Sequence, residues 1–302
     1  VENGEMAKQA GGSVLIRYND TVVLSAATAS HEAKDTDFFP LTVLYNEKMY
    51  AQGSIPGNFI RREGRPSEHA TLTSRLIDRP IRPMFAEGFR NEVQIVSTVL
   101  SLDPDCDSGM AAMFGSSLAL CVSDIPFNGP IAGVIVGKVD GRLVVNPGLD
   151  DLERSTLTLT VAGTKEAINM VEAGAMEVSE EEMLEALQFG HDRIKELCAI
   201  QEEVIAACAK EKMEVVLYAV HPSIREYVDL HGRQAIEEAV SIKGKLERYG
   251  RIDALIAQMV EEVAANLPWE DEKALDKARK QAKEYCVEIE AGEVRRLISE
   301  EK

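Results

Sequence analysis

The sequence predicts a mixed α+β core, in which sheets pack against helices, followed by a small all-α domain. Three observations predict it. β-rich runs recur through the first two thirds of the chain, helical stretches rich in small residues lie between them, and strand signals stop beyond about residue 212. The chain has 302 residues, 45% of them hydrophobic and 28% charged, enough to bury a substantial core in two domains. That composition excludes disorder as the dominant state. No apolar run approaches the ~20 residues of a membrane helix, and the polar start Val1-Glu2-Asn3-Gly4-Glu5 is unlike a signal peptide. A soluble, cytoplasmic protein is expected. The first residue is Val1 rather than Met, so the region is open to being an internal piece of a longer chain.

From Gly12 to Ala29, Val14-Leu15-Ile16 and Val22-Val23-Leu24 flank Asn19-Asp20, which predicts two strands around a turn. A third strand is expected from Phe38 to Tyr45. The glycine-rich stretch from Ala51 to Asn58 reads as a loop that delivers Phe59-Ile60-Arg61-Arg62. Ser67 is a candidate N-cap for a helix to about Arg79, where Pro80 should stop helical bonding, with Leu72, Leu76 and Ile77 facing inward. Val93 to Leu100 is another strand. Met110 to Cys121 is a helix whose Ala111, Ala112, Gly115, Ser116 and Ala119 permit close packing on a sheet. Ile131 to Val139 and Leu143 to Val145 form a hairpin at Asp140-Gly141, and Thr156 to Ala162 alternates as a strand. Ser179 with Glu180, Glu181 and Glu182 is a capping box opening a helix through about Lys210, its apolar residues Leu184, Leu187, Ile194, Leu197, Val204, Ile205 and Cys208 recurring at three or four. Helical patterns at residues 223–231, 233–241, 252–266 and 273–289 complete the chain. The boundary expected between the two domains lies at 211/212.

The net charge of -18 argues on average against a nucleic-acid partner, because phosphate contacts dominate such affinity. The average conceals an island. Residues 48–90 carry eight basic and four acidic groups, whereas residues 140–211 carry six and sixteen. Arg61, Arg62, Arg65, Arg75, Arg79 and Arg82 fall within twenty-two residues, and the island has no lysine after Lys48. Arginine favours planar, bidentate recognition of phosphate or stacking on bases. Arg75 and Arg79, four apart, share a helix face and could grip successive phosphates, with Arg82 just beyond. Pairing with Glu63, Glu68, Asp78 and Glu87 is the structural alternative. Five widely spaced cysteines and five scattered histidines carry no zinc-ligand spacing. No metal-binding residue is assigned in this chain.

The stretch Gly57-Asn58-Phe59-Ile60-Arg61-Arg62-Glu63-Gly64-Arg65-Pro66-Ser67-Glu68, continued by Arg75-Leu76-Ile77-Asp78-Arg79-Pro80-Ile81-Arg82-Pro83, resembles the first core domain of the bacterial polynucleotide phosphorylase family. Asp37 to Val43, Asp124 to Pro130, Val161 to Thr164 and Phe189-Gly190-His191 support the resemblance, which is strong over residues 1–211 and weak over 212–302. It implies a ribonuclease PH-like fold, repeated in a second core absent from this chain, and a homotrimeric ring around a channel. It also implies phosphorolysis of RNA from the 3′ end, with inorganic phosphate as co-substrate, nucleoside diphosphates as products and Mg2+ bound by the second core. By resemblance, the loop holding Phe59, Ile60, Arg61 and Arg62 grips single-stranded RNA at the constriction, with Arg65, Arg75, Arg79 and Arg82 as further contacts. The family's second phenylalanine is Ile60 here.

The family's active core carries a serine run for phosphate before a Met-Ala, and a catalytic Asp and Lys ahead of a Val-Ala-Gly. The matching landmarks here are Asp107-Ser108-Gly109 before Met110-Ala111, and Thr158 and Thr160 before Val161-Ala162-Gly163. An ionised Asp107 repels phosphate, Thr158 is no substitute for a metal-binding carboxylate, and Thr160 supplies no cation. No catalytic residue is therefore assigned, and this core is expected to be silent by itself. Two other readings stand beside it: a self-contained enzyme that binds a small phosphorylated substrate through the island, and a purely structural subunit.

Overall fold

The computed structural model describes residues 1–57 and 62–300, so Asn58, Phe59, Ile60 and Arg61 lie outside the described residues. The chain divides into two compact units, Val1–Leu217 and Tyr218–Lys302.

In the first unit, β1 (Glu2–Asn3), β2 (Gly12–Tyr18), β3 (Thr21–Ala33), β4 (Leu41–Glu47) and β5 (Asn91–Ser101) form a sheet in the order β1-β2-β3-β5-β4. Its pairings are antiparallel except β4 with β5. The β2–β3 turn sits at the expected place because Asn19 tolerates its positive φ of 51°, setting Tyr18 opposite Thr21. A short 3-10 turn, Met49–Gln52, leaves the end of β4, and α1 (Glu68–Ile81) packs on that strand.

The second sheet has the order β7-β6-β8-β9, from β6 (Ala132–Val139), β7 (Arg142–Val145), β8 (Leu157–Gly163) and β9 (Ile168–Ala175). Asp140 and Gly141, both at positive φ, close the β6–β7 hairpin. The helix α2 (Ser108–Val122) is buried along nearly its whole length and touches both sheets. Small residues are required there, since a Cβ on Gly115 would lie 2.5 Å from Ser25 Oγ. The polar groups this approach buries satisfy one another: Ser97 Oγ lies 2.7 Å from Ser25 Oγ and 3.0 Å from Ser116 Oγ. A short helix α3 (Leu149–Arg154) precedes β8, and α4 (Glu180–Cys208) covers β6 and β8 of the second sheet.

Several expectations are corrected. Leu72 is 58% exposed, because Ala70, Thr73, Ile77, Pro80 and Ile81 define the inner face of α1 and Leu72 lies roughly 130° around from it. Leu184 on α4 is likewise exposed. Pro80 does not stop α1: it lacks only its own N–H, and the Arg82 N–H still reaches Asp78 O. The strand β9 carries no alternation, because Val171 to Ala175 are exposed on both faces, and sequence reading passed over it, as it did β1 and α3. Residues 209–217 group with the first unit: Lys210 N–H donates to Val122 O at 3.1 Å, Met213 N–H to Asp124 O at 2.7 Å, and the Lys212 ammonium to Leu120 O, Cys121 O and Ser123 O. The structural division thus falls six residues beyond 211/212.

The second unit consists of α5 (Pro222–His231), α6 (Arg233–Val240), α7 (Lys245–Asn266) and α8 (Glu272–Glu300). Ile224, Val228, Ile236, Leu255, Met259 and Val263 form its core with Ala282, Tyr285 and Cys286 of α8. Among the described residues no helix is long and apolar enough to cross a membrane.

The acidic start of α4 has a testable consequence. Ser179 and Glu182 form the capping box, and Glu182 also binds the Lys138 ammonium of β6. The Lys138 contact first, then the Ser179 N–H, hold the Glu182 carboxyl down to about 2 from the usual 4.5. A carboxyl whose folded pKa is depressed stabilises the fold above the unfolded pKa and loses that contribution as pH falls through the folded one. Wild-type thermal midpoints should therefore fall more steeply than those of Glu182→Gln between about pH 4.5 and 2. Parallel curves would refute the coupling.

Candidate functional site

The arginine island is built on the loop before α1 and on that helix's exposed face. Ser67 Oγ accepts the Ala70 N–H at 3.0 Å, so the N-cap read from sequence starts the helix. Ala70, Thr73, Ile77 and Ile81 bury one side, which leaves Arg75 and Arg79 on the other. Arg62 and Arg65 are exposed on the loop. Arg65 and Arg75 form no ion pair among the described residues.

The remaining arginines of the island differ. Arg79 Nη1 donates to Glu172 Oε2 of β9 at 2.8 Å. Both side chains are at least half exposed, so the pair contributes at most about 1 kcal/mol and leaves Arg79 within reach of a competing anion. Arg82, expected just beyond Arg75 and Arg79, has several partners within the chain. Its Nε and Nη2 grip both carboxylate oxygens of Asp78 at 2.9 and 2.7 Å, and its Nη1 and Nη2 donate to Phe39 O and Leu41 O. With its guanidinium also over the Phe39 ring, Arg82 ties α1 to the entry of β4. Phe59, Ile60 and Arg61, assigned to the same loop, lie outside the described residues.

A cleft of about 550 Å³ opens between the end of β4, the 3-10 turn and residues 62–67. Lys48, Arg62 and Arg65 line it, as do Glu47 and Glu63; Tyr45, Leu102 and Ser108 form other parts of its wall. Tyr45 and Ser108 hydroxyls lie 2.7 Å apart. Burial raises the tyrosine pKa, so the phenol stays protonated. Sequence reading missed Glu47 and gave Glu63 a different partner. Glu63 was visible as the one acid inside Arg61-Arg62-Glu63-Gly64-Arg65, but reading it as a partner for arginine led away from its actual partner, Lys48.

Beside the cleft, one residue before Ser108 of its wall, Asp107 is the N-cap of α2 and accepts the Met110 N–H at 2.7 Å. A helix start of this kind offers N–H groups to an anion, and here a carboxylate of the chain itself takes the offer. On β8, Leu157, Leu159 and Val161 are buried, and the alternation turns Thr158 and Thr160 to the opposite face. Thr160 pairs in register with Glu172 of β9, the residue bound by Arg79. Magnesium does not fit this face: two hydroxyls and one carboxylate already committed to a guanidinium are a poor donor set for a hard dication.

Residues 1–126 match the family described as "3' exoribonuclease family, domain 1", and residues 129–193 match its "domain 2". All 302 residues align with polyribonucleotide nucleotidyltransferases, at 58% identity for Bacillus licheniformis, 59% for Anoxybacillus flavithermus and 57% for Bacillus subtilis. In each case the match covers 42% of the relative, so the chain spans about two fifths of the length of these curated proteins.

Proposed function

Because the chain belongs to the 3′ exoribonuclease family, as its two domain matches and its identity to polyribonucleotide nucleotidyltransferases show, we propose that it is the RNA-guiding part of a phosphorolytic 3′-to-5′ exoribonuclease. The longer protein shortens single-stranded RNA with inorganic phosphate, releases nucleoside diphosphates, and runs in reverse as a polymerase. It works as a homotrimer in the cytoplasm, with Mg2+ held by a second core. Phe59, Ile60, Arg61, Arg62 and Arg65 meet the RNA strand, with Arg75 and Arg79 farther along. Five free thiols, four of them buried, suit a reducing compartment.

The observation that carries this reading is an exposed arginine rim on a unit whose α2 start is capped by Asp107, which takes the Met110 N–H. An attacking phosphate dianion needs donors, and the Met110 N–H already bonds to a carboxylate. Thr158 and Thr160 supply neither a carboxylate for a metal nor a cation for the developing charge. What this unit contributes is cationic, sequence-tolerant grip on a phosphate backbone.

The deciding experiment measures phosphate-dependent release of nucleoside diphosphate from single-stranded RNA by the 302-residue chain and by the longer natural protein. Release by the longer protein alone is expected. Release by the short chain would overturn the silent-core reading. Thr158→Ala in the longer protein should leave turnover within about twofold, because a hydroxyl on this face takes no part in the reaction. A loss of turnover with RNA affinity and assembly preserved would place the active core here.

A further inference from the structure

Glu63 presents a contradiction. An RNA-gripping loop has no electrostatic use for a carboxylate between Arg62 and Arg65, since it repels phosphate and would neutralise its neighbours. Among the described residues, however, Glu63 pairs with neither. Its Oε1 accepts the Met49 N–H at 2.6 Å, and its Oε2 accepts the Lys48 ammonium at 3.2 Å. The Met49 N–H and then Lys48 lower its pKa, so it remains a carboxylate throughout the neutral range.

These contacts connect to the sheet. The 3-10 turn that begins at Met49 is tied to the end of β5, where the Leu102 N–H donates to Ala51 O at 3.0 Å. The far end of the same loop is held by a second carboxylate: Glu47 at the end of β4 accepts from Ser67 Oγ at 3.0 Å and lies 2.6 Å from His69 Nδ1. Residues 62–67 are thus fastened at both feet to one strand end, and the Gly64 N–H folds back on Arg62 O at 2.7 Å between them.

We infer that Glu63 is a positioning residue, which fixes the loop so that Arg62 and Arg65 meet neighbouring phosphates together. This rests on the proposal that the arginine loop binds RNA. An unfastened loop would bear the same positive charge, but holding both guanidiniums in place would cost conformational entropy at the moment of binding. The negative charge is tolerated because both its oxygens are turned to the turn and to Lys48.

The inference fixes the sign of an experiment. Simple electrostatics says that removing the Glu63 charge strengthens RNA binding, most of all at low salt. Positioning says that binding weakens. Filter-binding titrations of the 302-residue chain with a single-stranded RNA over a salt series compare wild type, Glu63→Ala, Glu63→Gln, Lys48→Met and the pair Arg62→Ala with Arg65→Ala. Glu63→Ala should raise Kd about threefold to tenfold. Its plot of log Kd against log salt should become shallower, because fewer phosphates are met at once. Glu63→Gln, which can still accept the Met49 N–H, should fall between it and wild type. Lys48→Met is a second route to the same loosening, although it also removes a cation, so its slope relative to that of Glu63→Ala is the informative quantity. Thermal midpoints should barely move, since both partners are on the surface. Tighter or unchanged binding by Glu63→Ala, with clear weakening by the arginine pair, would overturn the positioning role alone. No weakening by the arginine pair would overturn the RNA reading of the loop, and the positioning role with it.

Discussion

Replacing Arg62 and Arg65 together by alanine is expected to lower the affinity of the chain for single-stranded RNA by about tenfold or more at low salt. Each phosphate neutralised on a single strand contributes about 0.7 to the slope of log Kd against log salt, so losing two contacts should flatten that slope by about 1.4. The effect should be large because the rest of the molecule opposes binding: the net charge is -18, and the island is the one basic stretch of the first unit. Folding should be unaffected, since both side chains are exposed. Arg82→Ala is the contrasting variant. Its guanidinium holds Asp78, Phe39 O and Leu41 O, so its loss should lower the thermal midpoint and leave the salt slope unchanged. An affinity insensitive to salt or to the arginine pair would revive the two other readings, a pocket for a small phosphorylated substrate or a purely structural subunit.

The second large effect is on stability. Lys212→Met should destabilise the first unit by about 2–3 kcal/mol, which for a unit of this size lowers the thermal midpoint by about 4–12 °C. The Lys212 ammonium donates to Leu120 O at 3.1 Å, Cys121 O at 2.8 Å and Ser123 O at 2.7 Å, the carbonyls at the negative end of α2. Desolvation of the ammonium end pushes its pKa down although the residue as a whole is exposed, and three acceptors hold it there. Methionine keeps much of the stem's apolar packing and removes the ammonium from Cys121 O and Ser123 O, whereas Leu120 O keeps the Ser123 hydroxyl at 2.7 Å. Thermal denaturation followed by circular dichroism measures the change. A shift below about 1 °C would mean that water replaces the ammonium at no cost.

Much of the fold was legible because its signals are local. The Asn19-Asp20 and Asp140-Gly141 turns, the Ser67 cap and the Ser179 capping box each involve residues within four positions of one another, and each stands where the sequence placed it. Elements whose outward faces stay wet were harder. Leu72 and Leu184 look like core residues by composition but fall on the solvent side of helices whose inner faces are set by their neighbours. The strand β9 exists through its pairing with β8 rather than through any alternation of its own. The site was legible as an island of charge, and less so as an arrangement, because charge counting cannot tell a free guanidinium from a committed one.

The sequence by itself determined the class of fold, the family and the location of the basic island. All three rest on residue types and spacings along a contiguous stretch, and none requires knowing which side chains meet. Only the tertiary structure decided what each charged residue does. Arg79 reaches Glu172 across 93 positions, Arg82 reaches the carbonyl of Phe39 across 43, and Lys212 reaches Leu120 across 92. Glu63 turns from the arginines beside it to Lys48 and Met49, fifteen and fourteen residues back. Hydrogen bonds and ion pairs depend on separations of about 3 Å in space, and packing the two sheets around α2 sets those separations.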